Sequence, residues 1–441
     1  MQSKTSWENK FSDCLEYIDS YWNKIIREPE KRKINRRLIT IPKPYVVPND
    51  KKFNFIFYWD SYFIFQGLNG TKRSWVMKSM IENFMYLYEK YHLIPNFNAE
   101  SSLGRSQPPF FTSMILETFE NMIGVNNFFL RFERAFSRLI KRNNPEKFWL
   151  AKAFETAKQE YTHVWIDQQK LYHHSVSGFK LQRYGDRDLG YDHSSELESG
   201  WDLTSRFYNR ASNFLQIDLN SYLFKYETDF EKIAMVLGNK KEAKHWAKTA
   251  QKRRLQINKF MWYEKSGFFF DYSYIHKRQS SFYSLAGFIP LWAGLASKKQ
   301  AEQMVKKLLL FETDYGLAIC AKKSLAPKID PKKIPIRYRS AIEGVLKPKQ
   351  WDYPNIWPPL EYLTVMGLLN YGYSKEAIRI MQKSVKAHAA LFRKYKTFFE
   401  KINGETGDKP NDFHYPTQTG FGWTNAIFYK YIKLLDNLEA Q

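Results

Sequence analysis

Between positions 75 and 91 the apolar residues Val76, Met80, Phe84 and Tyr88 return at four-residue intervals, with Met77, Ile81 and Met85 beside them. A stripe repeating near the helical period of about 3.6 residues puts one apolar wall along a helix, so this spacing predicts a helix with a buried face. Similar patterns predict helices at 111–123, 128–140, 219–237, 243–262, 361–371, 375–391 and 423–435, several of them closed by breaks such as Gly124 and Gly238. Strand-like alternation is scarce. The best stretch is 267–274, aromatic and preceded by a Lys-Ser-Gly turn, which predicts a small hairpin or an extended loop. No βαβ rhythm is present. About ten or more helices without a break in composition suit one large helical array better than separate domains. The expectation is a single all-α domain over 1–441, with 322–349, rich in Pro and Lys and without a clean period, as a loop insertion.

Composition narrows the class. With 44% hydrophobic and 17% aromatic residues the chain can bury a large core, and 26% charged residues argue against a membrane-embedded protein. No run approaches the roughly 18 consecutive apolar residues that a span needs, and residues 1–10 lack the apolar centre of a secretory signal. A cytoplasmic address and no membrane partner are expected. Cys14 and Cys320 are too few for a disulfide framework or a cysteine zinc site, and the histidines, including His173 and His174, lack metal-ligand spacing. No metal or organic cofactor is expected. The 68 Lys and Arg against 45 Asp and Glu leave a net charge of +23, with clusters at 31–37, 252–254 and 322–339. No nucleic-acid motif accompanies them, so the charge is read as a solvated basic surface on a monomer rather than a nucleic-acid footprint.

Chemistry concentrates in four runs read as loops: 57–62, 96–111, 198–202 and 350–359. Each mixes Trp, Tyr or Phe with carboxylates, amides, Arg or Pro. A pyranose has an apolar C–H face for stacking and a rim of hydroxyls, so such mixtures suit a small carbohydrate. The competing reading is that the aromatics fill a helical core while the polar residues cap helices. A glycosidase needs two carboxyl groups, one protonated and one ionised, and composition cannot select two from 45 acids.

Two stretches resemble the signatures of the trehalase family of glycoside hydrolases: Lys52-Phe53 with 57–62, and 350–359, which fills every fixed position of Gln-Trp-Asp-x-Pro-x-x-Trp-x-Pro. Three more are similar to the same family: 92–96 leading to 105–111, then 198–206, and 420–425. All five stand in family order and span 52–425. The resemblance implies an (α/α)6 barrel with its active site at one end and hydrolysis of an α-glucosidic bond, above all trehalose, with inversion. It implies Asp202 as general acid and Glu400, followed by Lys401, as general base. It places sugar contacts on Phe53, Trp59, Asp60, Asn96, Arg105, Gln107, Gly200, Trp351, Trp357 and Trp423.

Read without the resemblance, Asp202 is either an acid desolvated by Trp201 or the N-cap of a helix begun by Thr204, Ser205 and Arg206. Glu400 is either a base before a glycine-bearing lid at 403–408 or one more helix-end Glu. Inversion requires the two carboxyls about 6.5–9.5 Å apart, with room for water. The chain also departs from the family. Lys52 stands for an Arg, Asp50 and Lys51 for two glycines, and Phe55 for a Glu; 183–196 replaces an Arg-Pro-Glu-Ser segment; His414 replaces a sugar-facing carboxylate. These changes resemble related helical-barrel hydrolases of glucosylglycerate or mannosylglycerate, for which Lys52, Arg183, Arg187 and His414 would meet the glycerate carboxylate. A noncatalytic sugar- or nucleic-acid-binding protein is the alternative from another class.

Overall fold

The computed structural model describes residues 6–29, 37–124, 144–187, 192–325, 349–410 and 416–439. The helix expected at 128–140, His414 and most of the insertion expected at 322–349 lie outside them. Among the described residues, twelve helices carry the architecture: α1 (Ser12–Ile25), α2 (Tyr58–Leu68), α3 (Trp75–Tyr91), α4 (Phe111–Met122), α5 (Pro145–Glu160), α6 (Ile217–Leu237), α7 (Lys240–Met261), α8 (Ile289–Trp292), α9 (Lys298–Val305), α10 (Pro358–Asn370), α11 (Ser374–Tyr395) and α12 (Gly422–Glu439).

Even and odd helices differ in kind. Every residue of α2 and of α8 is buried, as is nearly all of α10. By contrast α7 buries a stripe of Ala243, Trp246, Ala250, Arg253, Ile257 and Met261 and leaves the rest partly or fully exposed. A helix apolar on all sides must be enclosed, whereas a striped one covers something. The even helices accordingly form an inner ring: α2 packs on α4, α4 on α6, α6 on α8, α8 on α10, α10 on α12, and α12 back on α2. The odd helices lie outside it. This is the six-hairpin (α/α)6 toroid.

Two glycines permit the inner helices to touch. A Cβ on Gly67 of α2 would lie 2.6 Å from Ala426 Cα of α12, and one on Gly367 of α10 would lie 2.9 Å from the backbone nitrogen of Trp292 in α8. The stretch expected to be a hairpin or extended loop is a set of two-residue strands. Phe268–Phe269 pairs with Trp262–Tyr263, and Tyr272–Ser273 lies between Phe214–Leu215 and Arg278–Gln279, all antiparallel. Among the described residues no helix is long and apolar enough to cross a membrane.

Candidate active site

The loops entering the N-terminal ends of the inner helices converge on one pocket. It is lined by Trp59 and Asp60 from the first turn of α2, Gln107 before α4, Gly200 and Asp202 before α6, Trp351 and Trp357 before α10, and Glu400 and Trp423 around the start of α12. Four indoles form its frame. Trp351 and Trp357 stack with centroids 3.8 Å apart and planes 5° apart; Trp59 leans on Trp351 at 5.9 Å, and Trp423 stands edge-on to Trp357 at 5.9 Å. Two of their N–H groups are used internally: Trp357 Nε1 donates to the Gln350 carbonyl and Trp423 Nε1 to the Glu400 carbonyl, each at 2.9 Å. Those two N–H groups therefore need no partner from a ligand, and Trp357, stacked on Trp351, serves as a support for the frame.

Asp202 is positioned from both sides. Gly200 has φ +74°, and a Cβ there would sit 2.8 Å from Trp59 Cζ2, so only glycine lets the chain pass this indole. Leu203 also takes a left-handed φ of 61°. The 350–352 stretch holds this path: Gln350 Nε2 donates to the Asp202 carbonyl at 2.9 Å, Trp351 N to the Leu203 carbonyl at 3.2 Å, and Asp352 accepts Ser205 N at 2.8 Å. No α-helix starts at Asp202; α6 begins only at Ile217, so the N-cap alternative is not what forms. Arg206, fully buried, anchors the chain beyond this turn through paired bonds to Asp218 and Asp271 at 2.7–2.8 Å. On the other side the Glu198 carboxylate gathers Ser106 N at 3.0 Å, Gly185 N at 2.8 Å and His174 Nε2 at 2.7 Å, tying the Gln107 loop to the Gly200 turn.

Burial pushes the Asp202 carboxyl up to about 7, with repulsion from Glu196 and Glu400 adding to it and Arg105 opposing. Asp60, also buried, is pushed up to about 8, partly by Asp202 and Glu400. Glu400 has different company. Lys401 Nζ donates to its Oε1 at 2.9 Å and Gln418 N to the same oxygen at 3.2 Å, while the Lys401 ammonium lies 4.6 Å over the Trp357 ring. Both donors suit a carboxylate acting as acceptor. Glu400 lies beyond the end of α11, in a segment where Phe399 is bridged to Thr419, not at a helix end.

The pocket thus unites Phe53, Trp59, Asp60, Gln107, Gly200, Asp202, Trp351, Trp357, Glu400 and Trp423. Lys52, Asn96 and Arg105 do not line it: Lys52 is exposed beside Phe53, Asn96 is buried, and Arg105 bonds Asp186 at 3.4 Å. Pro48, Phe57 and Phe421 also line it, although none of the three was assigned a role from the sequence. Phe57 and Phe421 lie in the family-like runs 57–62 and 420–425, two positions before Trp59 and Trp423, which is the signal that could have found them. The run 57–62, expected as a loop, is mostly the first turns of α2.

The comparisons with known proteins agree with this geometry. The family model described as Trehalase matches residues 2–437. Two curated relatives, both named "Probable trehalase", are 32% identical in Saccharomyces cerevisiae and 30% in Eremothecium gossypii, over 89% of this chain and 55% and 58% of theirs. The chain thus spans little more than half the length of these relatives. Among solved structures, the neutral trehalase of Saccharomyces cerevisiae is 29% identical with a TM-score of 0.71, over 88% of this chain and 73% of that one. A GH63 mannosylglycerate hydrolase of Thermus thermophilus is 14% identical with a TM-score of 0.61, over 95% and 99%, and shares the fold. With nearly its whole length matched by the family model, this chain belongs to the trehalase family.

Proposed function

We propose that this protein hydrolyses trehalose by inversion, with Asp202 as general acid and Glu400 as general base. The observation that carries the reading is that these two carboxyls, 198 positions apart in sequence, line one tryptophan-framed pocket in opposite electrostatic settings. Asp202, held up to about 7 by burial, retains a proton to give to the glycosidic oxygen as the bond breaks. Glu400, fixed by Lys401 and Gln418 N, takes a proton from water as that water attacks the anomeric carbon from the opposite face. Inversion turns one α-linked glucose into β-glucose and releases the other as α-glucose. The indole faces suit the C–H faces of the sugar, and Asp60 and Gln107 suit its hydroxyls.

The cations nearest the two carboxyls are already engaged, Lys401 with Glu400 at 2.9 Å and Arg105 with Asp186 at 3.4 Å, which favours a neutral sugar over a glycerate glycoside. Arg183, a candidate for meeting glycerate, spends its guanidinium on the His173 carbonyl at 2.7 Å and Tyr274 OH at 2.9 Å. The test is trehalose turnover with the anomers followed by proton NMR. Asp202→Asn and Glu400→Gln should each lower kcat by at least about 10²–10⁴-fold with the fold preserved in the melting curve, and wild type should release α- and β-glucose in equal amounts. Full turnover in either variant, or α-glucose alone, overturns the reading.

A further inference from the structure

The toroid has a second mouth. The pocket above uses the N-terminal ends of the inner helices; towards their C-terminal ends lies a separate cavity of about 520 Å³, within the range of about 300–1,000 Å³ usual for small-molecule sites. All six inner helices line it, through Gln66 of α2, Glu120 of α4, Lys225 of α6, Trp292 of α8, Tyr362 of α10 and Lys430 of α12.

A ring of helices is most stable with a dry apolar centre, and charged groups there carry a desolvation cost unless something satisfies them. Some are satisfied from within. Gln66 donates to Glu117 at 2.9 Å and accepts from Tyr362 OH at 2.8 Å, and Lys225 pairs with Asp229. Glu120 is not: its side chain lies on the cavity wall, the residue is 7% exposed, and its buried Oε1 has no hydrogen-bond partner among the described residues. A buried orphan oxygen on a cavity wall calls for a donor from outside the chain.

The surroundings select the donor. No group of three or more His, Cys, Asp or Glu among the described residues could hold a metal ion. A strongly charged anion would need both Glu117 and Glu120 protonated, and an organic cation would meet Lys225 and Lys430. Burial pushes the Glu117 carboxyl up to about 7 and Glu120 up to about 8, and it holds both Lys225 and Lys430 below the usual lysine value. Near neutral pH the wall therefore offers donors and acceptors together, with Tyr62 and Trp292 supplying ring faces. That combination complements hydroxyl groups, which also donate and accept, on an apolar carbon frame.

We propose that this opposite cavity is a second binding site, taking a neutral polyhydroxylated molecule of monosaccharide size with one hydroxyl bound to Glu120. The inference does not depend on the reaction proposed at the other end. Its test is titration calorimetry of the full chain with D-glucose, D-mannitol and myo-inositol, and with spermidine as the cationic control. At least one polyol should show a binding event that persists in Asp202→Asn and Glu400→Gln. The same event should weaken at least tenfold in Glu120→Leu and in Met366→Trp, which fills the cavity from α10 while leaving Glu120 in place. Glu120→Gln, which can still accept, should bind within about threefold of wild type. The proposal is overturned if no polyol gives such an event, if the event survives both Glu120→Leu and Met366→Trp, or if spermidine alone binds there.

Discussion

At Asp202 the largest influence is burial, which raises the carboxyl from an ordinary 3.8 towards 7; Glu196 raises it further and Arg105 pulls it down. Glu196 accepts Thr204 N at 3.2 Å, so it both braces the turn after Asp202 and repels its charge. If Asp202 acts in its protonated form, kcat/KM falls as pH rises through about 7. Glu196→Gln removes the repulsion, lowers the Asp202 pKa, and should move that alkaline limb to lower pH. A pH–rate profile in which the limb stays put or moves up would remove Glu196 from this role. Stability follows the same sign. A folded pKa raised above the unfolded one contributes stability that is full below about 4 and is lost as pH rises through about 7. Asp202→Asn, uncharged throughout, should therefore gain in Tm relative to wild type as pH rises from 5 to 8, as thermal melts across that range would read.

At the scale of elements, close approach and mutual bracing matter more than propensity. The α2–α12 contact closes the ring, and it depends on Gly67 having no side chain opposite Ala426. Gly67→Ala puts a methyl carbon 2.6 Å from a backbone atom, so the helices must separate. The cost should be about 1–3 kcal/mol, measured as a lower denaturant midpoint with an unchanged m-value; an unchanged midpoint would show that the crossing has slack. The pairing of 350–352 with 202–205 is the other bracing contact. It explains why a signature far along the chain bears on Asp202: one side chain and one backbone N–H hold the catalytic candidate's loop, and Asp352 holds Ser205.

For the whole molecule, closure runs through both ends of the described chain. Trp7 N donates to Asp436 of α12 at 2.7 Å, and Lys433 of α12 pairs with Glu8 at 2.6 Å. The last helix packs on the first inner helix and is pinned to the segment before α1, so both ends of the described chain are tied into one ring. Calorimetry should show one cooperative heat-absorption peak, and the single-domain expectation fails if two separable peaks appear.

Periodicity in the sequence marked several of the helices that bury one face, but not α1, α5 or α9. The stripe at 75–91 has the bounds of α3, and α6, α7 and α11 are outlined to within a few residues, because one-sided burial writes its period into the chain. Periodicity misses α2: a helix enclosed on all sides has no polar face to break the run, so the start of Tyr58–Leu68 reads as an aromatic loop. Motif resemblance located Asp202, Glu400 and the tryptophans. Tertiary structure alone decided that they share a pocket, that Lys52 and Arg105 stand outside its lining, and that a second cavity with an orphaned Glu120 occupies the far end of the ring. Residue type and spacing act locally along the chain, whereas desolvation and unmet hydrogen bonds depend on groups brought together from remote segments.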